Sequence, residues 1–264
     1  MPEILKDLCH VRTGFVAFKD VKLLNTRSRS RLPRQAETVA VLIYPYYSKE
    51  ADGGNMSVYC SVKDYHTEIG RQLKSICRQL REKYPEEEFV PFVDASPIAE
   101  VDRAVKAGLG VKGENGLLIN EKWGSFVFIG EIVTTLSLPA TCFEDKGCLG
   151  CGLCKKACPG GAINGKNVKT ENCISHISQK KGELTEQERR ILKKAKTVFG
   201  CDICQKVCPM NKKIMERPDP HPFFTEDIMN TVTEETAPIV YKERAFGFRG
   251  LPVIMRNLKI YNEE

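Results

Sequence analysis

Eight cysteines between residues 148 and 208 carry the chemistry most legible in this chain. In CLGCGLCKKACPGGAI, two residues separate Cys148 from Cys151 and Cys151 from Cys154, and three separate Cys154 from Cys158, which precedes Pro159. Thiolates at this spacing cover three corners of a [4Fe–4S] cube, and the fourth cysteine of such a run ligates the other cluster of a pair. A second run, GCDICQKVCPM, has Cys201, Cys204 and Cys208 before Pro209 and is one ligand short. By the exchange rule Cys208 completes the cluster of Cys148, Cys151 and Cys154. The second cluster then has Cys158, Cys201 and Cys204, and Cys173 in NCISHIS is the remaining cysteine of the module. Structural zinc also takes four thiolates, and two C-x₂-C pairs alone would leave it open. Three cysteines at this spacing and then C-P, repeated with one displacement, favour two [4Fe–4S] clusters. Two clusters in contact make an electron relay, and a relay needs a terminus.

The rest of the chain has to supply that terminus. It has 264 residues, 42% hydrophobic and 28% charged, enough for one or two globular domains with a substantial core. No apolar run is long enough to cross a membrane, and MPEILKDLCH carries no secretory signal. A cytoplasmic location follows, where disulfides are disfavoured and metal binding best explains twelve cysteines. The net charge of +6 permits a nucleic-acid partner without requiring one. TVAVLIY (38–44) is a short β-branched strand, and EFVPFVD is a second, ending at Asp94. HTEIGRQLKSICRQLREKY puts Ile69, Leu73, Ile76 and Leu80 on one helical stripe. Ser96, with Pro97 after it, reads as the N-cap of a helix ended by the glycines of AGLG. Asp94 could itself serve only to cap that helix. NGLLIN and GSFVFIGEIVTTL read as further strands. LTEQERRILKKAKTVF is a helix inside the cysteine module, with Thr185 and Glu188 as a capping box. Cys9, Cys77 and Cys142 read as small buried hydrophobes. The expected division is an α/β unit over 1–140, a double-cluster module over 141–215 and a helical tail over 216–264. NTRSRSRLPRQ is a basic loop that charge alone would leave solvated.

Six ordered blocks carry a resemblance: SVYCSVKDYH, FVDASPIAEVDRAVKAGLG, GSFVFIGEI, CLGCGLCKKACPGGAI, CISHIS and GCDICQKVCPMN. Together they resemble the epoxyqueuosine reductases, cobalamin-dependent iron–sulfur enzymes of tRNA modification. The resemblance implies an α/β cobalamin-binding domain fused to a ferredoxin-like module with two [4Fe–4S] clusters. It implies base-off cobalamin between the two parts, and reduction of the epoxide of epoxyqueuosine in tRNA to queuosine. The family's displaced cluster ligand falls on Cys173 and its proton donor on Asp94. Cys60, Ser175, Asp202 and Ile203 fall along the cobalamin, His176 falls at its rim, and Cys60 has the alternative of a buried hydrophobe. DYHTEIG misses the spacing of a histidine-ligated cobalamin signature by one residue, so His66 reads as the start of a helix. Trp123 reads as packing in a strand turn. The implied partners are weakly held tRNA and an external electron donor such as flavodoxin or ferredoxin. Departures are Val111 and Glu114 in GLGVKGEN, where the family has tryptophan and lysine, and Gly160, where threonine is common. The chain resembles a short form, without the C-terminal helical repeats of longer members. Two rivals stand beside this reading: a related corrinoid reductase of a small molecule, similar to reductive dehalogenases, and a non-catalytic electron-transfer protein.

Overall fold

The computed structural model describes residues 12–24, 26–141, 147–165 and 167–263, without the side chains of 26–28. Cys9, His10, Cys142 and the Arg27 side chain lie outside the described residues. Strands β1 (Arg12–Ala17), β2 (Thr38–Pro45), β3 (Phe89–Val93) and β6 (Val127–Thr134) form an antiparallel sheet in the order β1-β2-β6-β3. Its central strand explains the unbroken apolar run at 38–44. Ala40, Leu42 and Tyr44 face a core built on helix α1 (Tyr65–Lys83), while Val39, Val41 and Ile43 face one built on α2 (Glu100–Lys106). A strand covered on both faces has no reason to alternate with polar residues. The helical stripe is where its period puts it: Ile69, Leu73, Ile76 and Leu80 are all buried. Helix α1 crosses the sheet over Gly130, where a Cβ would stand 3.1 Å from Leu73 Cδ1.

The chain between β3 and α2 departs from expectation. The helix begins at Glu100, its N-cap is Ala99, and no side chain caps it. Residues 97 and 98 are held extended against 23 and 24: Ile98 bridges Leu23, and Leu24 N donates to Pro97 O at 2.8 Å. Those backbone bonds forbid a helical turn at Pro97, so neither Ser96 nor Asp94 caps α2. Ser96 Oγ instead accepts from Ile98 N at 3.3 Å. The strand expected at NGLLIN is reduced to a hairpin of β4 (Val111–Lys112) and β5 (Leu118–Ile119), whose loop, 113–117, projects to the cysteine module.

The module itself has short helices: α3 (Leu153–Ala157), α4 (Ile174–Ser178), α5 (Glu186–Ala195), α6 (Ile203–Lys206) and α7 (Lys212–Glu216). The capping box on α5 is complete, with the Thr185 and Glu188 side chains each accepting from the other's backbone. After α8 (Ala237–Val240), helix α9 (Leu251–Asn262) returns to join the parts. Its Ile254 and Leu258 pack with Met56 and Cys60 of the α/β unit and with Val198 and Phe199 of the module. Its buried Asn257 donates to Ser178 O and Val198 O. Among the described residues no helix is long and apolar enough to cross a membrane.

Candidate redox site

The eight module cysteines gather around two cavities, and the grouping is the crossed one. Cys148, Cys151, Cys154 and Cys208 line the first, together with Leu149, Pro209, Glu114 and Asn115. Cys158, Cys173, Cys201 and Cys204 line the second, with Ile203, Val168 and again Asn115. The thiols sense one another in the same two sets. Cys208 feels Cys151 and Cys148, whereas Cys201 feels Cys173 and Cys158. Glycines at positive φ (Gly147, Gly150 and Gly152) fold the first run back on itself with open space where a Cβ would stand. The donor set suits iron–sulfur clusters. Four thiolates sharing one zinc lie about 2.3 Å from it. Here they are spread around two separate cavities, and among the described residues no three or more ligating side chains gather tightly enough for a single ion.

The two sites differ in exposure. Cys151 is exposed, and Leu149 beside it is 66% exposed, so the first site is the outer one. At the inner site, burial and then neighbouring thiols and Asp202 push Cys201 up to about 12. Burial, with Cys201 and Cys173, does the same for Cys204. Such thiols keep their protons at neutral pH, and a bound metal must displace them.

A second cluster of side chains surrounds Asp94. Asp94 follows β3 in the left-handed region at φ 55, a conformation that asparagine and aspartate tolerate better than other non-glycine residues. Arg31 secures this turn, donating to Ala95 O at 2.6 Å while lying over the Phe92 ring. The Asp94 carboxylate, 47% exposed, accepts a hydrogen bond from the Tyr65 hydroxyl and pairs with His66 Nε2 at 2.7 Å. Tyr65 is held flat between the Phe128 and His66 rings. Asp64 caps α1 by accepting from His66 N at 3.0 Å, and the same oxygen holds His66 Nδ1 at 2.6 Å. His66 is thus a helix start, as the sequence suggested, and also a bridge between two carboxylates that the sequence did not suggest. Burial pulls the His66 imidazole down, but the bonds to Asp64 and Asp94 outweigh it and raise it to about 9. Glu100 stands in the same field. Burial and then the Asp94 charge push it up to about 8, against Arg103 and His66, and its Oε1 is buried without a hydrogen-bond partner. Two proton-bearing groups therefore flank Asp94 at neutral pH. Both were hidden in sequence, because His66 and Asp94 are 28 residues apart and meet only across the ends of α1 and β3.

The remaining expected contacts divide by exposure. Ser175 and Ile203 keep part of their surface, and His176 is exposed. Cys60 is fully enclosed among Met56, Phe199 and Phe246, which is the buried hydrophobe of its alternative reading. Asp202 is enclosed as well: its carboxylate accepts from Ser57 Oγ at 2.5 Å and Val58 N at 2.7 Å, joining the module to the α/β unit. Trp123 packs at the turn after β5 and donates from Nε1 to Asp219 at 3.3 Å. Cys77 is buried on the core face of α1.

Two family models match the chain. One, described as "Epoxyqueuosine reductase QueG, DUF1730", matches residues 27–95, and one described as "4Fe-4S double cluster binding domain" matches residues 147–211. A protein of Cyclobacterium marinum named epoxyqueuosine reductase is 32% identical over 97% of this chain and 84% of its own length. The protein of that name from Escherichia coli is 35% identical, over 60% of this chain and 42% of its own length. Among solved structures, an epoxyqueuosine reductase with an epoxyqueuosine-modified tRNA stem loop shares the fold. It aligns at a TM-score of 0.81 and 21% identity, over 98% of this chain and 80% of its own.

Proposed function

This chain belongs to the epoxyqueuosine reductase family, and from that premise we propose that it reduces the epoxide of epoxyqueuosine in tRNA to the alkene of queuosine. The reaction takes two electrons and two protons and releases one water. The observation that carries the reading is the 32% identity over 97% of the chain, a span that takes in both the Asp94 loop and the cysteine module. Cys148, Cys151, Cys154 and Cys208 would hold the outer [4Fe–4S] cluster, and Cys158, Cys173, Cys201 and Cys204 the inner. Cobalamin, when bound, would supply the two-electron reduction of the epoxide. Open surface supports contacts from Ser175, Ile203 and Asp94. The enclosed Cys60 and Asp202 would support that surface from behind, Asp202 through its bonds to Ser57 and Val58.

Asp94 is the proposed proton donor. An alkoxide is a poor leaving group, and a positioned acid that protonates it removes most of that barrier. Asp94 presents a half-exposed carboxyl group, and His66 behind it holds a proton through neutral pH. We assign Asp94 to deliver the proton and His66 to replace it, with Tyr65 fixing the carboxyl's orientation. Residues 1–140 form the cobalamin and substrate part of this reading, 141–215 the relay, and 216–264 the tail that joins them. The tRNA would meet exposed cations including Arg29, Arg34 and Lys194, and Arg31 is occupied in holding the Asp94 loop. The setting is cytoplasmic, with a one-electron carrier protein as donor.

The test is anaerobic reconstitution with iron, sulfide and cobalamin, then incubation with tRNA carrying epoxyqueuosine. Queuosine in the digested tRNA is the expected product, together with about eight irons per chain. Loaded protein that leaves epoxyqueuosine unchanged under a strong reductant would overturn the proposal.

A further inference from the structure

The loop 113–117 reaches from the α/β unit to both cysteine cavities, and two adjacent residues on it have opposite chemistry. We propose that these residues tune the two clusters separately, Asn115 raising the reduction potential of the inner cluster and Glu114 lowering that of the outer. Asn115 is 9% exposed and lines both cavities. Its Oδ1 accepts from Leu117 N at 3.2 Å, which fixes the turn. Its carboxamide lines the inner cavity together with Cys204, an inner-cluster ligand. A hydrogen bond donated to a cluster sulfur stabilises the extra negative charge of the reduced state, so it raises the potential. Glu114 lines the outer cavity and is absent from the lining of the inner. Cys154, an outer-cluster ligand, lines the same cavity. A fixed anion opposes the added electron and lowers the potential.

The backbone makes the division rigid. The β4–β5 hairpin closes through Gly113 N to Leu117 O and Gly116 N to Gly113 O, both at 2.9 Å. A side chain at residue 113 would collide with Asn115 Oδ1 and Ile119. The consequence is directional: an electron entering at the exposed outer cluster is biased toward the inner one. Glu114 stands where the resemblance has lysine, so this chain carries the outer-cluster bias with the sign that favours inward transfer.

The inference rests on the two-cluster reading, and the experiment separates the two. Reconstituted protein is titrated with reductant while each cluster is followed by electron paramagnetic resonance, the signals being assigned with Cys173→Ala. Asn115→Leu removes the donor without adding charge and should shift the inner cluster's one-electron equilibrium about tenfold toward the oxidised state, or about 59 mV, with the outer cluster unmoved. Asn115→Asp keeps the acceptor for Leu117 N, so it serves if the leucine variant does not load; the inner cluster should again fall further than the outer. Glu114→Gln should raise the outer cluster alone. Two loaded clusters whose potentials stay put, or move together, would overturn the proposal. A chain that takes up iron for one cluster only would overturn the two-cluster reading, and the proposal with it.

Discussion

Asp94 concentrates the chemistry of the α/β unit in one side chain, and its surroundings say how to test it. It does not cap a helix, since α2 begins at Glu100 without a side-chain cap. Asp94→Asn keeps a residue that tolerates φ 55 and keeps the oxygen that faces Tyr65. It cannot give up a proton. Single-turnover epoxide reduction by prereduced protein should fall about 10²- to 10⁴-fold, far more than the modest loss of thermal stability that follows from weakening the His66 pair. An asparagine variant with full single-turnover activity would remove Asp94 from the mechanism. His66 makes a separate prediction in pH. Its folded value is raised to about 9, against about 6.5 when unfolded. The charged ring therefore adds stability that is complete below about 6.5 and is lost as pH rises through about 9. His66→Gln should flatten the fall in melting temperature over that window. If the variant and the parent lose stability in parallel, the imidazolium bridge is not formed.

Helix α2 shows what an element needs beyond its own sequence. Its Arg103 is buried against Glu131 of β6, each side chain 1% exposed. Removing one partner of a buried pair leaves an uncompensated charge, so Arg103→Ala should cost about 3–5 kcal/mol. Replacing both by methionine and leucine should recover most of that loss, because matched apolar residues often substitute for a buried pair. Chemical denaturation measures both, and a double variant as weak as the single would mean that the charges do more than satisfy each other. This pair was illegible in sequence, because nothing local links residue 103 of a helix to residue 131 of a strand. Strand β2 and helix α1 were legible because each is a single apolar pattern, continuous in one and striped in the other. The start of α2 was misread because Ser-Pro is a strong local capping signal, overridden by long-range backbone bonds from residues 23 and 24. The cysteine grouping was readable because thiolate spacing is set by the cluster, which imposes the same geometry on any chain that holds it. The groups around Asp94 and the reach of Asn115 were not, since each depends on where two distant loops end.

At the scale of the molecule, the chain is two unequally supported parts joined by helix α9, by the Asp202 bonds to Ser57 and Val58, and by the 113–117 loop. The sheet has two cores, on α1 and on α2, each filled with large apolar side chains. The module has a small core of its own, Ile174, Ile177, Leu184, Leu192 and Ile260, and the last of these comes from α9. Segments 148–158 and 201–208 have few buried apolar residues and carry seven of the eight module thiols, so metal binding must supply much of their folding energy. The proposed crossed ligation would make that support mutual, because Cys158 and Cys208 each lie beside the other run's cavity. Removing iron should therefore loosen both runs together and leave the sheet closed. Hydrogen exchange on anaerobically loaded and chelated protein measures this directly. Amides of 148–158 and 201–208 should lose protection on chelation, whereas those of β2 and β6, hydrogen-bonded along Thr38–Pro45 and Val127–Thr134, should keep theirs. Helix α9 should fall between, since Ile254 and Leu258 face both parts. If the strands open with the cysteine runs, the sheet does not stand without the clusters, and the molecule is one cooperative unit. If only one run loses protection, the ligands are not crossed.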